Sequence, residues 1–280
     1  MNKTYHFISG LPRSGSTLLS AILKQNPRFT AGISDPLQMY ANSIIRDTSS
    51  AVGMAAVVNN ERQIELIRDL FDSYYKHGNE VCFNTNRGWA ADTALLATLF
   101  PKFKMIVCLR DIQWILNSFE LLHNKNPLTI KPIYHHQQLS TVYERTNMLL
   151  GNIPNFSGYV SAPVNNIRQS MFCREVSQIC YVEYDTLVKH PKFAMQQIYQ
   201  FLGESWFEHD FNNVEDSYDE FDEQTKIIGL HDVRKRVEYK PQQVVIPDDI
   251  WHQAEPLSFW KNNFDKRRLN WISAAPGKQL

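Results

Sequence analysis

The chain has 280 residues, of which 43% are hydrophobic and 21% charged, a globular composition that excludes global disorder. Lys+Arg and Asp+Glu both number 29, so the formal net charge is zero, and a protein built to grip a nucleic-acid backbone is excluded with it. The longest apolar runs, AVGMAAVV and ALLATLF, are too short to span a bilayer, and MNKTYHFISG shows no signal-peptide core.

The first predicted element is a buried strand, YHFIS (5–9), rich in aromatic and β-branched residues. It leads into ISGLPRSGSTLLSAIL, where Gly10 and Gly15 carry the spacing of a phosphate-binding P-loop and Thr17 supplies its hydroxyl. The usual lysine is replaced by Ser16, and a cation stands instead at Arg13. A strand before the loop and a helix after it give the match its meaning. Backbone N–H groups from Arg13 through Ser14, Gly15 and Ser16 to Thr17 can ring an anion, and the helix N-terminus adds partial positive charge. The hydroxyls of Ser14, Ser16 and Thr17 add donors, and the planar Arg13 fork can hold two oxygens at once.

The helix after this loop has Leu18, Leu19, Ile22 and Leu23 on one stripe, and Pro27 stops it. A second helix is predicted in NERQIELIRDLFDSYYKHG, with Ile64, Ile67, Leu70, Phe71 and Tyr74 at helical spacing and Gly78 as its cap. EVCFN (80–84) and KMIVCL (104–109) read as further strands, and DIQWILNSFELLH as the helix after the latter. A helix is expected at 137–150 between two Pro-, Asn- and Gly-rich loops, 124–138 and 152–166; long loops on such a scaffold often cover a ligand. QICYVEY (178–184) and PKFAMQQIYQFLG complete the alternation. Strands alternating with helices predict an α/β fold, a P-loop-type three-layer αβα sandwich with a central parallel sheet. One domain is expected over 1–280, with its core at about 5–241 and a helical tail at 242–280. Nine acids and no Lys or Arg fall between Glu204 and Glu223, and this stretch reads as a solvated face or a flexible segment. Cys82, Cys108, Cys173 and Cys180 have no CxxC spacing, so buried thiols in a reducing, cytoplasmic compartment are expected, with no metal site.

A nucleotide hydrolase needs magnesium, held by an aspartate that ends a nearby apolar strand. Here that strand reads MIVCLRD, and Arg110 stands at its end. A cation there repels a metal and attracts an anion. HNKNP (123–127) lacks the aspartate of guanine recognition. The loop therefore reads as a phosphate site neutralised by protein cations.

PRSGSTLL followed by LRDIQWILNS resembles the sulfotransferases that use 3′-phosphoadenosine 5′-phosphosulfate (PAPS), most closely the protein-tyrosine sulfotransferase-like branch and its bacterial relatives. The resemblance implies that the first loop cradles the 5′-phosphosulfate, and that Arg110 and Ser118, eight residues apart, hold the 3′-phosphate. Eight residues are just over two helical turns, so Ser118 returns to nearly the face where the helix starts. Tyr184 in VEYDTLVKHP resembles the family tyrosine near the nucleotide, and Lys240-Pro241 the Lys-Pro that closes over it. Arg234, Lys235 and Arg236 would lie in that covering loop. No metal is implied. The general base is open: the branch's glutamate aligns with Asp35 after a one-residue gap, although an Asp before Pro36 is also a helix-start signal. The Lys-Thr-His motif of other members is replaced by Asn84-Thr85-Asn86, which leaves His135 or His136 as alternatives. Arg87 resembles the lysine that contacts the sulfonate, with a salt bridge as its rival role. Trp89 reads as core. The implied activity is sulfuryl transfer from PAPS to a hydroxyl or amine on a small molecule rather than a protein, leaving adenosine 3′,5′-bisphosphate (PAP). A degenerate P-loop kinase or hydrolase and a non-catalytic PAP-binding protein are the competing readings.

Overall fold

The structure, a computed structural model, describes residues 3–50, 57–127, 132–134, 137–151, 157–214, 219–224, 227–261 and 265–273. Its six strands are β1 (Thr4–Gly10), β2 (Phe29–Ala31), β3 (Val81–Thr85), β4 (Met105–Leu109), β5 (Ile179–Glu183) and β6 (Asn270–Ile272). They form one sheet in the order β2-β3-β1-β4-β5-β6, and every pairing is parallel.

Side chains alternate along each strand, and both faces of this sheet are covered. Tyr5 and Phe7 of β1, Met105, Val107 and Leu109 of β4 and Tyr181 of β5 enter one core. Ile8, Ile106, Cys108, Cys180 and Val182 enter the other. That is why the strands read as unbroken apolar runs rather than as alternating ones. The first core is closed by α2 (Leu37–Ser50), α3 (Asn60–Tyr74), α4 (Thr93–Leu99), α5 (Ile112–Lys125), α6 (Val142–Leu150) and α7 (Ser161–Ser170). The second is closed by α1 (Ser16–Leu23), α8 (Tyr184–Lys189) and α9 (Pro191–Leu202). Two shorter helices, α10 (Asp219–Gln224) and α11 (Asp248–Ala254), follow. Among the described residues, no helix is long and apolar enough to cross a membrane.

Local chemistry sets the boundaries. Asn59 caps α3 by accepting from the Arg62 N–H, and Thr141 and Glu144 form a reciprocal capping box on α6. Gly203, at φ 77°, ends α9. Several expectations need correction. Helix α3 ends at Tyr74 with Tyr75 as its cap, so Gly78 lies beyond it. The 152–166 loop contains the start of α7. The tail is helical over Asp248–Ala254 but also supplies β6, whose Trp271 stacks on Tyr181 with ring centres 5.5 Å apart. Both missed strands, β2 and β6, have three residues, too few for a period to show. The acidic stretch is not uniformly solvated: Glu204 pairs with Arg28 at 3.0 Å, and Asp222 is buried. The four cysteines are free thiols.

Candidate functional site

The C-terminal ends of β1, β3, β4 and β5 open on one cleft of about 860 Å³. Strand β1 lies where the chain order divides. The chain reaches β2 and β3 on one side of it and β4 and β5 on the other, the place where open α/β sheets bind ligands.

The loop between β1 and α1 owes its shape to three residues in the left-handed region: Gly10 at φ 142°, Arg13 at 58° and Gly15 at 94°. A Cβ on Gly10 would come within 2.4 Å of the Cys108 carbonyl oxygen, so a larger residue would push β1 away from β4. A Cβ on Gly15 would meet Tyr184 Cδ2 at 2.9 Å, so the tyrosine ring lies directly on the loop. Arg13 is the only non-glycine with positive φ among the described residues. Such a conformation costs about 1–3 kcal/mol and persists where the surroundings enforce it. Here they do. Arg13 Nε donates to Ser118 Oγ at 3.1 Å, its Nη1 donates to the Leu230 carbonyl, and its own carbonyl accepts from Arg110 Nη1 at 3.0 Å.

Arg110 stands at the end of β4. Its Nη2 donates to Gln242 Oε1 at 3.1 Å, and its guanidinium lies 4.4 Å over the Tyr184 ring. The two sequence motifs, 97 residues apart, are thus in direct contact. Neither arginine forms an ion pair among the described residues. Burial pushes the pKa of Arg13 down, and the charge of Arg110 adds to the effect. Burial likewise lowers that of Arg110. Asp222 and Asp232 act on Arg13, and Asp111 and Asp185 on Arg110, without pairing with them, so two adjacent, desolvated cations are left with room for a directly bound anion.

Arg13, Gly15, Ser16, Thr17, Arg87, Arg110, Tyr184 and Arg234 all line the cleft. Arg87 sits at the end of β3. Its Nη2 donates to Tyr159 Oη at 2.7 Å and its guanidinium lies 4.5 Å from that ring, so its partner is an aromatic and not the salt bridge considered above. Trp89 is fully buried in the core.

Other expected residues lie elsewhere. Ser14 turns its hydroxyl back onto the Leu11 carbonyl at 2.6 Å and is buried, so it braces the loop and adds no donor to the cleft. Ser118 is buried behind Arg13 and holds that guanidinium. Lys235 and Lys240 do not line the cleft. Lys240 pairs with Glu238 at 2.7 Å, and Gln242, two residues on, makes the contact to Arg110. His135 and His136 lie outside the described residues.

Asp35 is the main correction. Its carboxylate accepts from Tyr74 Oη at 2.8 Å, Tyr75 Oη at 3.1 Å and the Thr85 N–H at 2.8 Å. Its own N–H donates to the Thr85 carbonyl at 2.8 Å. Tyr75 in turn accepts from Asn84 Nδ2, and Asn84 Oδ1 from Trp89 Nε1. Asp35 is buried and does not line the cleft. Burial raises its pKa against these three donors. It fastens the end of α3 to the end of β3, and its oxygens are already engaged.

A second pair carries no signal in the sequence. His231 lines the cleft. Its Nδ1 lies 2.5 Å from Asp222 Oδ1, and its N–H donates to Asp222 Oδ2 at 2.9 Å. Burial lowers the His231 pKa, Asp222 opposes this, and the charges of Arg13 and Arg87 lower it further. A histidine in GLHDVRK and an aspartate inside an acidic run match no motif. Only the folding of α10 against the following strap pairs them.

That strap, 227–245, crosses the cleft mouth. It touches Arg13 through the Leu230 carbonyl and Arg110 through Gln242. Asn117 anchors it by donating to the Gln243 carbonyl at 2.9 Å and accepting from the Val245 N–H at 2.8 Å.

Residues 6–208 match the profile described as Sulfotransferase family. With that match over most of its length, the chain belongs to the sulfotransferase family. No curated protein matches it. Among solved structures it is similar to a sulfotransferase from Alicyclobacillus acidocaldarius, with 14% identity over 81% of this chain and 91% of that one, at a TM-score of 0.53. It is also similar to the sulfotransferase domain of the Synechococcus PCC 7002 olefin synthase (16% identity, 94% and 96% coverage, TM-score 0.46). A third similarity is to the sulfotransferase domain of the curacin biosynthetic pathway (15% identity, 74% and 76% coverage, TM-score 0.48). At these identities the likeness concerns the fold, and the last two scores add no further argument.

Proposed function

We propose that the protein transfers the sulfuryl group of PAPS to an acceptor on a small molecule, by in-line displacement and without a metal ion. The observation that carries this reading is the contact between Arg13 and Arg110 at the switch point of the sheet, two buried cations that form no ion pair among the described residues. PAPS brings anionic groups at both ends of its ribose. Residues present fit that demand: the 13–17 loop and its helix N-terminus face one anion, and Arg110 and Arg234 face another. Tyr184, beside Gly15 and under Arg110, offers an aromatic surface between them. Arg13 and Arg87 are placed to stabilise charge on the sulfonate and on the leaving phosphate oxygen. Ser118 acts by orienting Arg13. The four free thiols support a reducing, cytoplasmic site of action.

Calorimetric titration with PAP tests this reading. Micromolar or tighter binding that needs no divalent ion is expected. Metal-dependent ATP turnover that survives Arg110→Ala would instead establish a kinase or hydrolase.

A further inference from the structure

Arg13 is held in the cleft by the Ser118 hydroxyl. Arg87 reaches the same cleft from the turn after β3 and needs a counterpart to Ser118, because a long guanidinium side chain left loose must lose its rotamer freedom each time it binds. We infer that Tyr159 is that counterpart, a positioning residue that fixes the Arg87 guanidinium for the sulfonate of the donor. This rests on the sulfuryl-transfer reading above, which puts Arg87 at the sulfonate.

Three observations support it. First, the Arg87 side chain has one anchor. Its Nη2 donates to Tyr159 Oη at 2.7 Å, and its guanidinium lies 4.5 Å from that ring. It makes no other side-chain hydrogen bond and no ion pair among the described residues. The Arg87 carbonyl accepts from Ser9 Oγ at 3.0 Å, which ties its main chain to β1. Nε and Nη1 are left for the oxygens of a ligand. Second, the tyrosine ring is itself braced. It meets Phe119 edge to face, with centres 5.9 Å apart and planes at 78°. Phe119 follows Ser118 on α5, so one helix braces Arg13 directly and Arg87 through Tyr159. Third, the chain on either side of Tyr159 is fixed to the end of α6. Gly151, at φ 60°, and Gly158 pack backbone to backbone: a Cβ on Gly151 would come within 2.5 Å of the Gly158 nitrogen, and one on Gly158 would overlap the Leu150 main chain. Ser161 Oγ closes this pinch, accepting from the Gly158 N–H at 3.0 Å and donating to the Leu150 carbonyl at 2.5 Å. The Val160 N–H donates to the Leu149 carbonyl at 2.8 Å. Tyr159 thus enters the cleft from a rigid base.

Tyr159 keeps its proton and makes or breaks no bond during transfer. It removes freedom from Arg87 before the donor arrives, so that less is lost when Nε and Nη1 meet the sulfonate. PAP lacks the sulfonate, so the tyrosine hydroxyl should matter to PAPS and not to PAP.

The test titrates PAP and PAPS separately, by calorimetry, into native protein, Tyr159→Phe, Arg87→Ala and the double variant. Tyr159→Phe keeps the ring against Phe119 and removes only the hydroxyl. Its PAPS affinity is expected to fall by about 3–10-fold, the scale of one hydrogen bond, with PAP affinity within about twofold of native. Arg87→Ala is expected to lose at least as much PAPS affinity. Adding Tyr159→Phe to it should change nothing further, because the hydroxyl acts through the guanidinium. Nitrogen NMR of native protein labelled in arginine should show the two Arg87 Nη groups as distinct and slow to interchange, and this holds the test open if a variant does not fold. Tyr159→Phe protein that binds PAPS as native does, or loses PAP affinity equally, overturns the assignment. So does a further loss in the double variant, or a pair of Arg87 Nη groups that averages freely in the native protein. Native protein that binds no PAP sinks the sulfuryl-transfer reading itself, which is a different result.

Discussion

Replacing Arg110 with alanine removes one of the two cations at the switch point and should separate binding from stability. The guanidinium makes a bond to the Arg13 carbonyl, a bond to Gln242 and a stack on Tyr184. Its burial and its proximity to Arg13 are unfavourable without a ligand. These effects oppose each other, so the ligand-free protein should lose little stability. The bound state loses a charge-assisted contact worth about 1.5–3 kcal/mol, which is about 10–150-fold in affinity. With PAP at about 100 times the native Kd, the ligand adds about 2.7 kcal/mol to native stability. A variant bound about 30-fold more weakly keeps only about 0.9 kcal/mol of that. At about 2–4 °C per kcal/mol for a chain of this size, the PAP-induced rise in Tm should fall from about 5–11 °C to about 2–4 °C. Scanning calorimetry with and without PAP, paired with titration calorimetry, reads both quantities. Arg110→Lys should recover only part of the affinity, because an ammonium lacks the planar fork. Unchanged PAP affinity in both Arg110→Ala and Arg13→Ala would refute the reasoning.

Asp35→Ala leaves two tyrosine hydroxyls and the Thr85 N–H without their acceptor, and should cost about 3 kcal/mol or more in urea unfolding. PAP affinity should stay within about threefold, since Asp35 lies outside the cleft; a large loss of affinity at full folding would return it to the site. His6 is buried, its Nδ1 accepts from the Lys104 N–H at 3.2 Å, and burial pushes its pKa down to about 4. The unfolded chain then binds more protons between about pH 6.5 and 4, so stability present above pH 6.5 is lost as pH falls through that window, by about 3 kcal/mol for this group. In His6→Leu the dependence of unfolding free energy on pH should be shallower by one proton there, and an identical slope would dismiss His6 as its source. Glu120 and Arg145 form a buried pair at 2.6 Å, so Glu120→Ala should destabilise by about 3–5 kcal/mol in a denaturant melt, while replacing both by apolar residues of similar size should cost far less.

Much of the fold and half of the site could be read along the chain because their determinants are local. Apolar strand runs, helical stripes and Gly10 and Gly15 at loop spacing each sit within a few residues of the structure they specify. The step from Arg110 to Ser118 is a property of one helix. The sequence by itself therefore determined the parallel sheet and the positions of the loop motif at Arg13 and the strand-end motif at Arg110. Tertiary structure alone decided which groups those motifs touch. Asp35 looked available because its neighbours in sequence leave it so; Tyr74 and Tyr75, forty residues on, occupy it. Ser118 became a support for Arg13 because β1 and β4 are adjacent in the sheet. His231 and Asp222 came into contact only when α10 folded against the strap over the cleft. A hydrogen bond or a charge interaction depends on distance in space, and a side chain's residual capacity for chemistry is what its spatial neighbours have not already taken.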